Sequence, residues 1–179
     1  MPYNTDEAEL DHLFSSINGL LFIGGGANPS DASRYMFNLA VQANKNGDYF
    51  PVWGTCLGTS PLILLLCRVY RAAVAADFIN RYLSGFQWIS MFVGGEAILT
   101  GPFDSDNYSI PVNFTAGAKG SRMMTAVGDS IYDFMETEPI TFNAHHDGVS
   151  VSDFEASSAS TAFFNLLATN YDRGGKYGV

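Results

Sequence analysis

The sequence has few cysteines, few basic residues and no long uncharged apolar run, and each shortage excludes a class of protein. Two cysteines among 179 residues build neither a disulfide framework nor a zinc site. Nine Lys and Arg against 18 Asp and Glu leave a net charge of −9, which argues against nucleic-acid binding. The most apolar region, residues 61–95, is interrupted by Arg68, Arg71, Asp77 and Arg81, so a membrane span is disfavoured.

The amino-terminal stretch MPYNTDEAELDH has neither a basic start nor an apolar run, so we expect no signal peptide in this chain as given. What is present is the composition of a folded domain, with 47% hydrophobic and 14% aromatic residues. The length suits one domain with a sizeable core, and we expect a single domain over residues 1–179.

Two strand-turn-helix units stand in the first half of the chain. Residues 17–23 predict a buried strand that is followed by three glycines and then by a helix over 32–46. Residues 49–53 predict a second buried strand, and residues 57–66 are apolar enough for a packed helix. This rhythm is typical of an α/β fold with a parallel sheet. The sequence also predicts helices over 6–16 and 121–135 and strands over 97–100, 111–114, 140–144, 148–151 and 163–169.

The stretch PVWGTCLG places Cys56 between glycines directly after the second predicted strand. A Gly-x-Cys-x-Gly turn between a strand and a helix is a nucleophile elbow, whose small residues permit a cramped backbone. The positive end of the following helix favours the reactive thiolate. The amide of Leu57 is then free to donate to an oxyanion, and Gly25 or Gly26 is the candidate for a second donor.

The competing interpretation is that Cys56 is a core residue, because free cysteine is among the most buried residue types. Its flanking glycines favour the nucleophile, whereas Cys67 lacks them and is predicted to lie in the core. A cysteine hydrolase also needs a base, normally a histidine. His12 lies in an acidic predicted helix, which leaves His145 and His146, in a loop after a predicted strand, as candidates; an exposed histidine pair without a function fits the pattern equally well.

Six stretches follow one another along the chain: SINGLLFIGGG, NGDYFPVWGTCLG, GGEAILT, PVNFTAG with SRM, ITFNAHHDGVSV and FFNLLATNYD. In these stretches the chain resembles gamma-glutamyl hydrolases, the folate-processing cysteine peptidases of the class I glutamine-amidotransferase-like superfamily. Residues 51–58 are the most specific part of the resemblance, because Gly-x-Cys-x-Gly alone would fit any glutaminase of that superfamily.

The resemblance implies a flavodoxin-like, three-layer α/β sandwich with a largely parallel central sheet. It implies an omega-peptidase activity that hydrolyses the gamma-glutamyl bonds of folylpoly-gamma-glutamates through a thioester on Cys56. Leu57, Gly25 and Gly26 match the family's oxyanion donors, and His145, with His146 beside it, matches the substrate site. No metal or organic cofactor is implied.

The resemblance further implies a vacuolar, lysosomal or secreted glycoprotein that often forms a homodimer. Asn113-Phe114-Thr115 matches a glycosylation position of the family, and Asn107-Tyr108-Ser109 is a second acceptor triplet. No nucleic acid and no membrane span are expected.

The chain departs from the family pattern in three ways. The family's catalytic histidine lies in a Gln-Trp-His-Pro-Glu stretch downstream of FFNLLATNYD, so we expect the general base to be absent from this chain. The family's first strand is also absent, so we expect a domain that is incomplete at both ends. Residues 67–92 have no family counterpart and are expected to be an insertion, either an extra helix pair or translated non-coding sequence, whose aromatic residues need a partner surface.

Three alternatives to a hydrolase that lacks its base remain. The first is a catalytically impaired fragment or pseudoenzyme that binds glutamyl ligands without turnover. The second keeps the hydrolysis and assigns the role of the missing base to His146. The third is a flavodoxin-like module that binds phosphate through the loop at residues 24–26, although the chain has no Gly-x-Gly-x-x-Gly fingerprint.

Overall fold

The computed structural model describes residues 5–23, 29–55 and 85–178. These residues form a mixed α/β structure that divides into two units, Met1–Phe92 and Val93–Val179. The predicted α/β class is thus confirmed, while the single domain stays a prediction. No helix in the described part of the chain is long and apolar enough to cross a membrane.

Two helices of the first unit form where the sequence supplies caps. Helix α1 covers Glu7–Ser15 and helix α2 covers Asp31–Lys45, which confirms both predicted helices. The carboxylate of Asp6 accepts the N–H of Glu9 at 2.9 Å, and Ser30 caps α2 in the same way. Each such cap stabilises its helix by about 1 kcal/mol.

A parallel pair of strands gives the first unit its βαβ geometry. Strand β1, Leu20–Phe22, pairs with strand β2, Val52–Gly54, and α2 lies between them in the chain. Beyond the last pair, the N–H of Thr55 donates to the carbonyl of Phe22 at 3.0 Å, so the two strands end side by side. The strands are shorter than predicted, and only Phe22 among their six residues is buried. The described strands of this unit pair only with each other.

Helix α3 covers Gly85–Gly94 and supplies aromatic side chains that pack on β1. The rings of Trp88 and Phe92 meet the ring of Phe22 edge-on, at centroid distances of 6.3 and 6.2 Å. The described end of the predicted insertion therefore finds its partner surface inside the first unit. The rest of that insertion, residues 67–84, lies outside the described residues, as does the predicted helix over 57–66.

Two antiparallel sheets form the described framework of the second unit. In the first sheet, β3 (Ser105–Ile110) pairs with β5 (Thr141–His145), and in the second, β6 lies between β4 and β7. The remaining elements of this unit are β4 (Asn113–Phe114), β6 (Ala168–Tyr171), β7 (Tyr177–Gly178), α4 (Asp129–Thr137), α5 (Val151–Ala156), α6 (Ser158–Phe163) and a 3₁₀ turn over Glu96–Ile98. Among the described strands, parallel pairing is confined to β1 and β2, so the three-layer sandwich stays a prediction.

The second unit departs from the predicted strands at three places. Residues 97–100 form a 3₁₀ turn with a single bridge, and residues 148–151 lead into α5. A helix forms after residue 150 instead of a strand because the hydroxyl of Ser150 accepts the N–H of Asp153 at 3.0 Å and caps α5. In the segment 163–169, α6 ends at Phe163 and β6 begins at Ala168, with no regular structure between them.

Strand β3 was not predicted, because its sequence SDNYSI is polar and lacks an apolar alternation. Its pairing with β5 supplies the tertiary contact that its local sequence does not encode. Helix α4 begins at Asp129 rather than at residue 121, because turns fill the intervening segment up to Gly128. The helix buries Tyr132, whose ring stacks on that of Phe114 at a centroid distance of 4.2 Å.

Candidate functional site

The predicted nucleophile and oxyanion donors Cys56, Leu57, Gly25 and Gly26 lie outside the described residues. The described strands end directly before them. Because β1 and β2 are parallel and end side by side, Phe22 and Thr55 lie at one edge of the sheet. The carboxyl edge of a parallel sheet is where α/β proteins bind their ligands.

Gly54, the first glycine of the elbow, occupies a place where no side chain fits. A Cβ atom there would lie 2.7 Å from the carbonyl oxygen of Gly85 and 2.7 Å from Cδ1 of Ile89. The N–H of Gly85 also donates to the carbonyl of Thr55 at 3.1 Å. The start of α3 thus lies against the end of β2, and this close approach is the physical reason for glycine at position 54.

The predicted substrate histidine His145 is the last residue of β5 and is half-buried. Its Nε2 lies 3.3 Å from Oδ1 of Asn143, two residues earlier on the same face of the strand. The amide nitrogen of Asn143 donates to the carbonyls of Tyr108 and Thr141, each at 3.2 Å, which directs Oδ1 toward the ring. Nε2 of His145 is therefore the protonated nitrogen. Its Nδ1 is buried and has no hydrogen-bond partner among the described residues.

Burial lowers the pKa of His145 below its ordinary value of 6.5. The neighbouring His146 lowers this pKa too, whereas the backbone of Asp147 and the carboxylates of Asp147 and Asp106 oppose the decrease. The ring is therefore neutral at pH 7 and offers hydrogen bonds rather than charge. Because the unfolded chain binds this proton more tightly, His145 makes the folded state less stable as the pH falls below about 6.5.

His146 is exposed and has a different hydrogen-bonding state. Its Nδ1 lies 3.2 Å from the carbonyl oxygen of Phe103, and the N–H of Phe103 donates to the carbonyl of His146 at 2.6 Å. A carbonyl oxygen only accepts, so Nδ1 of His146 is the donor in this contact. Nε2 is then the ring nitrogen that remains to accept a proton.

A cleft of about 180 Å³ opens beside His145 within the second unit. Its volume lies below the roughly 300–1,000 Å³ of pockets for drug-sized ligands, so it suits one small polar group. The residues that line it carry both polar and aromatic groups: the ring of Phe103, the amide of Asn143, the hydroxyl of Thr169, the imidazole of His145, the carboxylate of Asp172 and the amine of Lys176.

Asp172 organises the turn between β6 and β7 on one side of this cleft. Its two carboxylate oxygens accept the N–H of Asp104 at 2.8 Å and the N–H of Lys176 at 2.7 Å. These backbone donors, with that of Asp104 the strongest, lower the pKa of Asp172, and the charge of Lys176 adds to the effect. The carboxylate stays ionised at neutral pH, with its oxygens occupied by amides.

No family model matches this chain. Curated proteins do match it: gamma-glutamyl hydrolase of Mus musculus is 36% identical over 171 residues, which cover 93% of this chain and 45% of that protein. This chain is similar to gamma-glutamyl hydrolases. Gamma-glutamyl hydrolase B of Dictyostelium discoideum is 34% identical across 97% of this chain and 44% of its own length. The Homo sapiens gamma-glutamyl hydrolase is 33% identical, with 96% and 48% covered.

These matches confirm the resemblance to gamma-glutamyl hydrolases that the sequence motifs indicate. The chain spans about half the length of the curated relatives it matches, between 44% and 48% of the three named above. The similarity covers less than half of each of these relatives, so the activity of this chain is a proposal.

The two predicted glycosylation sites of this chain are exposed to solvent. Asn113 stands in β4 and Asn107 in β3, and both are exposed. Asn107 has a φ of 50°, a left-handed conformation that asparagine tolerates better than most residues. Exposure is what a glycan requires, and glycosylation at both positions stays a prediction.

Sequence reasoning missed three residues that the structure gathers beside His145. Asn143 had a local signal, since it stands two residues before His145 in a predicted strand and so shares its face. Asp172 and Lys176 had no such signal. They reach the cleft through the pairing of β6 with β7, which joins segments far from β5 in the chain.

Proposed function

We propose that this chain carries the nucleophile and a substrate subsite of a gamma-glutamyl hydrolase that acts on folylpoly-gamma-glutamates. The observation that carries the proposal is the similarity to curated gamma-glutamyl hydrolases, which extends over 93–97% of this chain in the three relatives named. The paired ends of β1 and β2 support it, because Phe22 and Thr55, which precede the glycine loop and Cys56 in the chain, lie at one edge of the sheet.

The proposed fold is the three-layer α/β sandwich of the class I glutamine-amidotransferase-like proteins. The βαβ unit made by β1, α2 and β2 supports it, since this unit is the building block of a parallel sheet with helices on its faces.

In the proposed reaction the thiolate of Cys56 attacks the carbonyl carbon of a gamma-glutamyl amide. The oxyanion accepts hydrogen bonds from the amide of Leu57 and from the amide of Gly25 or Gly26. The carbon–nitrogen bond then breaks, the leaving amine takes up a proton, and a thioester with Cys56 remains. A water molecule adds to the thioester carbonyl, which releases the new carboxylate and regenerates the thiol.

The test of this function compares two linkages in otherwise matched substrates. We expect the protein to release glutamate from a folylpoly-gamma-glutamate and to leave the corresponding alpha-linked glutamyl peptide uncleaved. The measurement is chromatographic detection of free glutamate and shortened folates. Equal cleavage of both linkages, or binding of the gamma-linked substrate by well-folded protein without any release, would reject the hydrolase and favour the non-catalytic glutamyl binder.

The proton acceptor is a separate part of the proposal, and His146 is its candidate inside these residues. The carbonyl of Phe103 orients its ring with the lone pair on Nε2. With His146 as the base, we expect His146→Ala to lower kcat by about 10²–10⁴-fold. His145→Ala is the matched control, since loss of a neutral substrate contact should raise KM more than it lowers kcat. An unchanged kcat in His146→Ala would remove His146 from the reaction.

The cellular setting follows from the same resemblance. We propose a vacuolar, lysosomal or secreted glycoprotein, with glycans on Asn113 and Asn107, that forms a homodimer. The exposure of both asparagines supports the glycans.

A further inference from the structure

The described cations of the second unit differ in what they contact. Lys119 pairs with the carboxylate of Asp129 at 3.2 Å, and Arg173 pairs with that of Asp104 at 3.1 Å. Lys176 has no carboxylate within ion-pair distance of its Nζ among the residues that the structure describes. Its Nζ lies instead over the ring of Phe103, 4.1 Å from the centroid, in the wall of the cleft.

We propose that this cleft binds a ligand carboxylate and that Lys176 supplies the charge that holds it. The ligand class rests on the proposed function, which makes the carboxylate that of a gamma-linked glutamyl residue. The cleft volume of about 180 Å³ fits one such side chain and excludes a ligand of the size of a whole folate.

The neighbours of Lys176 leave its charge available for a ligand. Asp172 is the acidic residue among those that line the cleft, and its oxygens already accept the backbone N–H groups of Asp104 and Lys176. The ring of Phe103 holds the ammonium group in place without neutralising it, because a cation over an aromatic face keeps its full charge. An ammonium group that is held in the wall of a small cleft is less well hydrated than the ammonium group of a free lysine. This weaker hydration favours a charge-assisted hydrogen bond with a bound anion.

The uncharged polar groups of the cleft complement a carboxylate without competing for it. His145 is neutral at pH 7, so it adds no second charge, and Asn143 holds its ring. The hydroxyl of Thr169 already pairs with the hydroxyl of Tyr177 at 2.8 Å. Lys176 therefore provides the charge, and the hydrogen-bonding groups around it determine the orientation of the ligand.

The experiment measures binding rather than turnover, so the inference can fail independently of the hydrolase. The full chain, labelled with ¹⁵N, is titrated with gamma-glutamyl-glutamate and, in parallel, with the same dipeptide whose carboxylates are converted to amides. We expect the dipeptide acid to shift the amide resonances of β5 and of the β6–β7 turn, and the amide form to leave them unmoved.

Three variants separate charge from structure. Lys176→Met keeps an unbranched side chain over Phe103 and should raise Kd about tenfold or more, because a charge-assisted hydrogen bond is lost. Lys176→Arg keeps the charge with a different donor geometry and should bind the dipeptide acid more tightly than Lys176→Met does. Lys119→Met removes an equal charge from an ion pair elsewhere and should leave Kd unchanged. Thermal unfolding of each variant confirms that it folds.

Two results would overturn the inference. The first is a Kd in Lys176→Met equal to that of Lys119→Met, which would make the effect one of net charge. The second is equal binding of the acid and the amide, or binding of neither. Failure of hydrolysis with this binding pattern intact would reject the proposed chemistry and leave the carboxylate subsite standing.

Discussion

Cys56→Ala is expected to abolish hydrolysis of a folylpoly-gamma-glutamate, with a loss of about 10⁴-fold or more in kcat. The reason is that the proposed route passes through a thioester, and alanine offers no atom to form it. Removal of a covalent nucleophile has effects of this size because the oxyanion donors and substrate contacts alone give only a small residual rate. The substrate Kd should stay near its parent value, since the bond to sulfur forms only after binding.

Cys67→Ala is the matched control, because the chain has two cysteines and only Cys56 stands between glycines after a strand. It should keep kcat within about threefold of the parent, since a core cysteine acts through packing rather than chemistry. Alkylation with iodoacetamide is a second measurement of the reactive cysteine. We expect the alkyl label on Cys56 in the parent protein and its loss in Cys56→Ala. Bound substrate should protect Cys56 from the label. Turnover that survives in Cys56→Ala and is lost in Cys67→Ala would overturn the assignment of the nucleophile.

Leu10→Ala is expected to lower the free energy of unfolding of the first unit by about 2–5 kcal/mol. Leu10 is 1% exposed and packs with Ala32 and Met36, so truncation leaves a cavity between α1 and α2. Helix propensity does not account for the loss, because alanine is the best helix former. The effect extends to the proposed site, since α2 is the helix that separates the glycine loop from β2 in the chain.

Leu13→Ala in the same helix isolates the packing effect. Leu13 is 37% exposed, so its removal should cost less than about 1 kcal/mol. Urea unfolding followed by circular dichroism measures both variants, and a lower midpoint with an unchanged slope would attribute the difference to stability. Equal destabilisation by the two substitutions would show that the burial of Leu10 adds nothing to the free energy of unfolding beyond what the exposed Leu13 adds.

The site could be predicted in part because two of its signals are local. Gly54 and Cys56 lie within three residues, and the alternation of β5 places Asn143 and His145 on one face. The role of Gly54 was predicted as freedom for a cramped turn. The structure supplies the physical cause, the approach of Gly85 and Ile89 from α3, which are more than 30 residues away in the chain.

By itself, the sequence determined the features that depend on neighbouring residues. These are the capped helices α1 and α2, the strands before the glycine loop and before Cys56, and the motifs in which the chain resembles gamma-glutamyl hydrolases. Local backbone preferences and short-range hydrogen bonds decide such features, so a short window of sequence contains the information.

Only the tertiary structure decided how distant segments combine. The polar segment SDNYSI becomes β3 because β5 pairs with it, and Ser150 ends a predicted strand by capping α5. The cleft likewise brings Lys176 and Asp172 to His145 through the β6–β7 pairing. Such contacts join residues that are far apart in the chain, and their register is set by packing and hydrogen bonding across strands, which local propensity does not encode.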